Sequence, residues 1–491
     1  MITMTARTLQ GFMELLPEEQ IVMEHMKSVI AHTYELFGFA PLDTPVLELA
    51  EVLLSKSGGD TEKQIYEFKK GDTDLAMRFD LTVPLAKYVA LYNNSLTFPF
   101  KRYQIGKVYR GERPQKGRFR EFYQCDIDII DRDELNIVHD AEVLAVIYTV
   151  FKKLELPAFK IYINNRKLLS GFLESLNIAD KTVDVLRLVD KIKKIPEEAF
   201  LGELGDLGLP EDKNKKLLEF IKINGLNNEI LKRLKSFNIQ NETYQNGLSE
   251  LKTVISQAKK LGIPGKNVQI DLSITRGLDY YTGTVYETFF DQYPEFGSVC
   301  SGGRYDNLSN VFMDKKFPGV GISIGLTRLY DQLHGRGLLK IKGPTPNKVL
   351  VITQSGEYAG KALELLGALR KEDIAADVLL RDCKFKKKME YANKIQTPYA
   401  VIIGEDEVKN GYYTLKDMTK GTQRRVKLSE LARIVKGIRR TADVSPEKYI
   451  STLAPAIRRR FIEKLFEQSQ LSQNKNLNTA LNYNYNFLQC K

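Results

Sequence analysis

Between residues 100 and 131 apolar and polar positions alternate in two runs, FKRYQIGKVYR and EFYQCDIDIID, separated by a basic loop. A period of two predicts strand, because successive side chains then point to opposite faces. On the first run Arg102, Gln104 and Arg110 share one face, and Tyr103, Ile105 and Tyr109 the other. On the second, Phe122, Gln124, Asp126 and Asp128 share a face opposite Tyr123, Cys125, Ile127 and Ile129. The expected product is a hairpin that sets an arginine, an amide and carboxylates over one cleft. Its loop, Glu112 to Arg118, adds three further cations. A half-buried hairpin with a wetted polar face would show the same alternation.

Elsewhere the period changes. Ile21, Met23, Met26, Ile30, Tyr34 and Phe37 recur at helical steps, which predicts a helix over 18–37. Helical patterns return at about 139–153 and throughout about 166–260, a block rich in Lys, Leu and Glu. That block interrupts a strand-rich body, so it reads as an inserted helical domain. Strands are expected again at VQIDLSI (268–274) and TVYETFF (284–290). Glycines, prolines and cations across 335–346 mark a linker. Beyond it VLVIT, ADVLL and YAVIIG alternate with helical patterns, which predicts an α/β unit with a parallel sheet over 347–437. KFKKK (384–388) opens one of its helices and reads as a solvated lysine face or a nucleic-acid contact. Tyr412 and Tyr413 fall on an expected hairpin, as packing residues or as stacking surfaces for unpaired bases. The tail, 438–491, ends Asn-rich and reads as disordered.

Composition narrows the function classes. A chain of 491 residues exceeds one ordinary core. No apolar run reaches the roughly 20 residues of a membrane span, and the N-terminus lacks a signal pattern. The four cysteines are scattered without metal or disulfide spacing, so a reducing, cytoplasmic setting is expected. The four histidines form no cluster. A net charge of +11 favours an acidic partner such as nucleic acid.

Five ordered segments then sharpen the picture. YRGERPQKGRFREFYQ resembles motif 2 of the class II aminoacyl-tRNA synthetases, in the form typical of the histidyl-tRNA synthetase family. GFAPLDTPVLE (38–48) is similar to motif 1 and GVGISIGLTRL (319–329) to motif 3. RGLDYYTGTVYE (276–287) and SGGRYDNL (301–308) resemble the two histidine-specific motifs of that family. The resemblance runs from near the start of the chain to about residue 437. It implies an α+β catalytic domain on an antiparallel sheet (1–334), carrying the helical insertion, and a C-terminal α/β anticodon-binding domain. The family's opening is often a Gly-Thr-x-Asp segment before LP; here it reads QGFMELLP, with Gly11 and Glu14 at the first and last of those places.

The resemblance also implies chemistry: histidine and ATP give histidyl-adenylate and diphosphate, and the histidyl group passes to the 3′ end of tRNA(His). It places Arg110 and Arg276 as catalytic cations at the α-phosphate. Arg110, Glu112, Arg118, Phe122 and Arg328 match the ATP site, with Phe122 stacking on adenine. Asp80, Thr82, Arg110, Gln124, Asp128, Arg276, Tyr280 and Tyr281 match the histidine site. Asp80, Thr82 and Gln124 match the positions that hold the α-amino group, and Asp128 a carboxylate facing the imidazole. From the residues alone Asp126 and Asp128 are interchangeable, and only the alignment selects Asp128. Arg113, Gln115 and Lys116 are placed over the tRNA acceptor end. ATP enters as substrate with Mg2+, and no tightly bound prosthetic group is expected. Motif 1 implies a homodimer with Pro45 near the partner. Three alternatives are a regulatory subunit of ATP phosphoribosyltransferase, a synthetase-like sensor of uncharged tRNA, and a class II enzyme for glycine, threonine or proline. Intact arginines and the C-terminal domain argue against the first two, and RGLDYY with GGRYD against the third.

Overall fold

The computed structural model describes residues 5–55, 62–113, 115, 117–275, 281–306, 308–341 and 343–437. Arg276, Tyr280, Lys116 and the tail from 438 therefore lie outside the described residues. The chain divides into two units, 1–341 and 342–491.

The first unit is built on an eight-stranded sheet: β1 (Ala40–Pro41), β2 (Phe100–Tyr109), β3 (Glu121–Ile130), β4 (Phe159–Asn165), β5 (Val268–Ile270), β6 (Tyr281–Phe290), β7 (Cys300–Tyr305) and β8 (Gly319–Gly325). Their order is β1-β2-β3-β8-β7-β6-β4-β5. The inner six are antiparallel, and only the short edge strands β1 and β5 pair parallel. The antiparallel body expected from the sequence is thus present. VQIDLSI forms strand only over its first three residues, because Asp271 turns the chain by accepting from the Ser273 amide and hydroxyl.

Two helices, α1 (Pro17–Leu36) and α2 (Val138–Lys153), cover one face of this sheet. Pro17 suits the first turn of α1, where its missing N–H has no partner to lose, and Glu18 and Glu19 favour the positive end of the helix. Met23, Met26, Ile30 and Tyr34 from α1 meet Cys125, Ile127 and Ile129 from β3 in one core. The Tyr34 hydroxyl donates to the Cys125 carbonyl at 2.9 Å. The apolar face read from EFYQCDIDIID is therefore the packed face, and its polar face lies on the opposite side of the sheet.

The insertion follows β4 directly: six helices run from Arg166 to Lys260 before β5 returns to the sheet. They share the main core, with Phe172, Phe220, Phe237 and Tyr244 in aromatic contact.

The second unit has β9 (Val349–Thr353), β10 (Ala376–Val378), β11 (Tyr399–Ile403), β12 (Tyr413–Asp417) and β13 (Gln423–Val426), in the order β10-β9-β11-β12-β13. The first three are parallel and the last two form the expected hairpin. Helices lie on both faces, as fully apolar central strands require. The lysine run opens the helix Phe385–Lys394, but Lys388 is buried and donates to the Thr353 carbonyl at 3.0 Å, so it anchors the helix instead of facing solvent.

Candidate active site

The uncovered face of the sheet is organised in cross-strand rows. Arg102 on β2, Asp128 on β3, Gly321 on β8 and Gly303 on β7 form one row. Gln104, Asp126, Ser323 and Ser301 form the next, and Gly106, Gln124 and Gly325 the third. Small residues beside each acid and amide leave the floor open. A Cβ on Gly321 would stand 2.2 Å from Asp128 Oδ1, and one on Gly302 2.1 Å from the Gly321 carbonyl. Glycine there reflects close approach, with no left-handed backbone involved.

Over this floor lies a cavity of about 640 Å³ bordered by Asp80, Thr82, Gln124, Asp126, Asp128 and Tyr281 on the acid side. Arg110, Arg118 and Arg328 border the same cavity. A second cavity of about 430 Å³ shares those arginines and Gln124, and adds Glu112 and Phe122. Among the described residues, the predicted ATP and amino-acid positions thus converge on two joined cavities.

The acids are held in different ways. Asp128 Oδ2 pairs with Arg102 Nη2 at 2.6 Å, and its Oδ1 accepts from the Tyr305 hydroxyl at 2.9 Å. Burial raises its pKa to about 6, against the pull of Arg102. Burial lifts Asp126 further, to about 7, opposed by Arg102 and Ser323. Asp80 Oδ1 accepts from the amides of Thr82 at 3.1 Å and Val83 at 2.9 Å, at the start of the helix Thr82–Tyr92. Asp80 therefore caps that helix as well as bordering the cavity. Burial raises its pKa, and the amides and Arg110 work against that rise.

The cations are fixed by backbone carbonyls. Arg110 Nε donates to Phe79 O at 3.2 Å, with its guanidinium 4.3 Å from the Phe79 ring centre and 5.1 Å from that of Phe122. Arg328 Nη2 donates to Phe296 O at 2.6 Å. Burial and the nearby Arg118 both lower the Arg328 pKa. Arg113 and Gln115 are exposed, and Arg118 lies 3.4 Å from Glu112. Gly117, at φ +72°, supplies the left-handed turn that lets Arg118 pair back onto Gln115.

Two expectations need correction. Arg102 and Gln104 share the polar face but do not border the cavity. Arg102 is fully buried beside Asp128, where its Nη2 also donates to the Leu81 carbonyl at 3.3 Å, and Gln104 donates to Asp43 at 2.8 Å. They support the floor. Sequence reasoning also gave no role to Tyr305, Ser323 or Gly321, although all three lie in quoted motifs. The insertion contributes Asp190, Lys193 and Lys194 to the cavity wall, for which the sequence carried no signal. Arg304 of GGRYD is structural: it pairs with buried Asp140 at 2.7 Å and donates to Leu135 O.

A family model described as histidyl-tRNA synthetase matches residues 11–329, and one described as anticodon binding domain matches 348–438. The chain is 50% identical to a histidine–tRNA ligase of Clostridium tetani, over 87% of this chain and 97% of the relative. A crystal structure of histidyl-tRNA synthetase from Nostoc sp. PCC 7120 superposes with a TM-score of 0.82 at 38% identity, covering 89% of this chain and all of that one. A Bacillus halodurans structure described as an ATP phosphoribosyltransferase regulatory subunit/histidyl-tRNA synthetase superposes at 0.69 over 82% of this chain and all of its own; at 20% identity it shares the fold. With half its residues shared along nearly the whole length of such a relative, and an acid floor facing an arginine wall where the motifs meet, the chain belongs to the histidyl-tRNA synthetase family.

Proposed function

We propose that the protein is a histidine–tRNA ligase that forms histidyl-adenylate from histidine and ATP and then charges tRNA(His). The observation that carries this reading is the junction of an acidic and a cationic cavity across Gln124 and Arg110. In the first step a carboxylate oxygen bonds to the α-phosphorus and the bond to diphosphate breaks. Two anions must meet, so fixed cations are required where charge develops. Arg110, between both cavities, suits the α-phosphate and the substrate carboxylate. Arg328 and Arg118 suit the outer phosphates, and Phe122 offers a face to adenine. Arg276 is assigned to the α-phosphate on its motif alone.

On the acid side Asp80, Thr82 and Gln124 receive the α-ammonium, and Tyr280 and Tyr281 wall the pocket. Asp128, oriented by Arg102 and Tyr305, meets the imidazole. An apolar ring there would desolvate the Asp128 carboxylate further without the donor that an imidazole N–H supplies, which is costly, so histidine is selected. Mg2+ on nucleotide phosphates needs only one or two protein carboxylates. Glu112 and Glu287 border the cavities and fit that demand. Mg2+ would neutralise phosphate charge. Arg113, Gln115 and Lys116 suit the acceptor end of tRNA, and the 347–437 domain its anticodon.

A homodimer through motif 1 is supported by Leu47, Leu49 and Phe68, exposed apolar side chains on a small three-stranded antiparallel sheet (Leu47–Leu49, Thr73–Met77 and Glu67–Lys70) that begins two residues after Pro45. The described cysteines, Cys125, Cys300 and Cys383, are free thiols, which suits the cytoplasm. No helix among the described residues is long and apolar enough to cross a membrane. Diphosphate exchange with each of the twenty amino acids tests the assignment. Exchange with histidine alone is expected, and exchange with another amino acid or with none would overturn it.

A further inference from the structure

Two carboxylates stand on the cavity floor, and they are not equivalent. Asp128 has its counter-ion and a hydroxyl donor. Asp126, one pleat earlier on the same face and 3% exposed, borders the same cavity. Its Oδ1 has no hydrogen-bond partner among the described residues. Of its row neighbours, Gln104 donates its amide to Asp43 and Thr44, while Ser323 accepts from Gln124 at 2.7 Å and its hydroxyl also bonds the Asp126 carboxyl, which still leaves Oδ1 without a donor. A buried carboxylate oxygen without a donor is unfavourable, and native structures rarely keep one unless something bound completes it.

The choice of ligand group follows from what the cavity already offers. The ammonium has Asp80 and Gln124. The imidazole has two ring nitrogens, and Asp128 serves one. We propose that Asp126 is a second specificity-determining contact to the imidazole of histidine, so that the floor reads both ring nitrogens; this rests on the ligase reading above. The contact holds one proton between its two partners. Either a protonated Asp126 donates to a neutral ring, or the imidazolium donates to the carboxylate, and the net charge is the same. Burial raises the Asp126 carboxyl from its ordinary range towards the range in which an imidazole titrates. The charged and titratable groups around Asp126 are Arg102 from β2, Asp128 on its own strand, Asp80 before its helix and Tyr281 from β6. Cys125, Cys300 and Tyr34 face it through the sheet.

Two substitutions test this through their contrast. Asp126→Ala removes the contact, while Asp126→Asn keeps a donor for a neutral ring but cannot accept as an anion does. Histidine and ATP KM would be measured by diphosphate exchange at about pH 8 and about pH 5.5, on either side of the imidazole pKa. Asp126→Ala should raise the histidine KM about 10- to 100-fold at both pH values, as for a lost charge-assisted bond, with ATP KM unchanged. Asp126→Asn should stay within a few fold of the parent near pH 8 and fall towards Asp126→Ala near pH 5.5. If Asp126→Ala does not fold, the pH contrast of Asp126→Asn against the parent still decides. Unchanged histidine KM in both variants, or an Asp126→Asn variant with no pH contrast, would overturn the proposal. A parent protein that exchanges with histidine alone keeps the ligase reading intact in that case; one that fails to do so removes both.

Discussion

Removing the guanidinium beside Asp128 should destabilise the protein in a pH-dependent way. Arg102 is fully buried, and its 2.6 Å pair with Asp128 is nearly fully buried too. Arg102→Met keeps much of the volume but leaves a buried carboxylate with only the Tyr305 hydroxyl. Breaking a buried pair from one side costs about 3–5 kcal/mol. At roughly 2–4 °C per kcal/mol, and towards the low end for a unit this large, the midpoint should drop by about 6–15 °C near pH 8. The sign with pH follows from the raised pKa of Asp128, about 6 against an ordinary 3.8. The folded state holds that proton more tightly than the unfolded state. The stabilising linkage is therefore complete below about 3.8 and is lost as pH rises through about 6. Without Arg102 the folded carboxyl should hold its proton to still higher pH. At about pH 5 it is then largely neutral in both proteins, and the gap should narrow to about 1–2 kcal/mol. Urea unfolding at the two pH values reads this directly. A gap equal at both, or below about 1 kcal/mol at pH 8, would refute the argument. Adding Asp128→Asn to Arg102→Met should recover at least half the loss near pH 8.

Four further outcomes are expected. Phe122→Ala should raise the ATP KM about tenfold and leave the histidine KM unchanged, because stacking on a base is worth about 1–3 kcal/mol; equal effects on both substrates would remove Phe122 from the adenine site. Gly321→Ala should cost about 1–3 kcal/mol in thermal unfolding and weaken histidine binding, since the added methyl meets Asp128 Oδ1 at 2.2 Å and Ile127 O at 2.4 Å. Gly202→Ala, in the insertion helix Glu197–Asp206 with nothing within 4 Å, is the control and should be neutral or stabilising by about 0.5–1 kcal/mol. A chain ending near residue 440 should stay folded and form adenylate in exchange assays; any loss confined to tRNA charging and fading with salt would point to Arg458, Arg459 and Arg460, whereas lost adenylate formation would put the tail in the catalytic structure.

The period of two in EFYQCDIDIID was enough to divide that strand correctly, because a strand buried on one side can expose its acids only on the other. The motifs likewise implied the antiparallel sheet, and the alternation of VLVIT, ADVLL and YAVIIG with helical patterns predicted the second α/β unit. What stayed hidden depends on register and on partners far along the chain. Arg102 and Arg110 look alike in sequence, yet one is buried within the floor and the other borders the cavity, because only the β2–β3 pairing sets Arg102 opposite Asp128. Asp80 reads as a substrate acceptor, and its second task as helix cap appears only when the following residues turn helical. Gly321 looks like one more small residue in GVGISIG until the Asp128 carboxylate is placed above it. Lys193 and Lys194 belong to a charge-rich helical block, and nothing local distinguishes them from solvated lysines.

The central pairing of β3 with β8 has a consequence for how the chain is made. Roughly 190 residues separate the two strands, so at about 5–20 residues per second a ribosome needs about 10–40 s to deliver the second after the first. During that interval β3 has β2 on one side and an open edge on the other, with Cys125, Ile127 and Ile129 as its apolar face. Open edges of this kind invite pairing with other chains. The helical insertion emerges in the same interval, and its first and last helices, Arg166–Ser175 and Glu242–Lys260, which pack on each other, are both complete before Gly319–Gly325 is made. The half-made sheet must therefore be shielded until Gly319–Gly325 arrives, by α1 and α2 already laid on its apolar face or by a chaperone. Slow translation between residues 131 and 318 lengthens the time in which this chain is prone to aggregate.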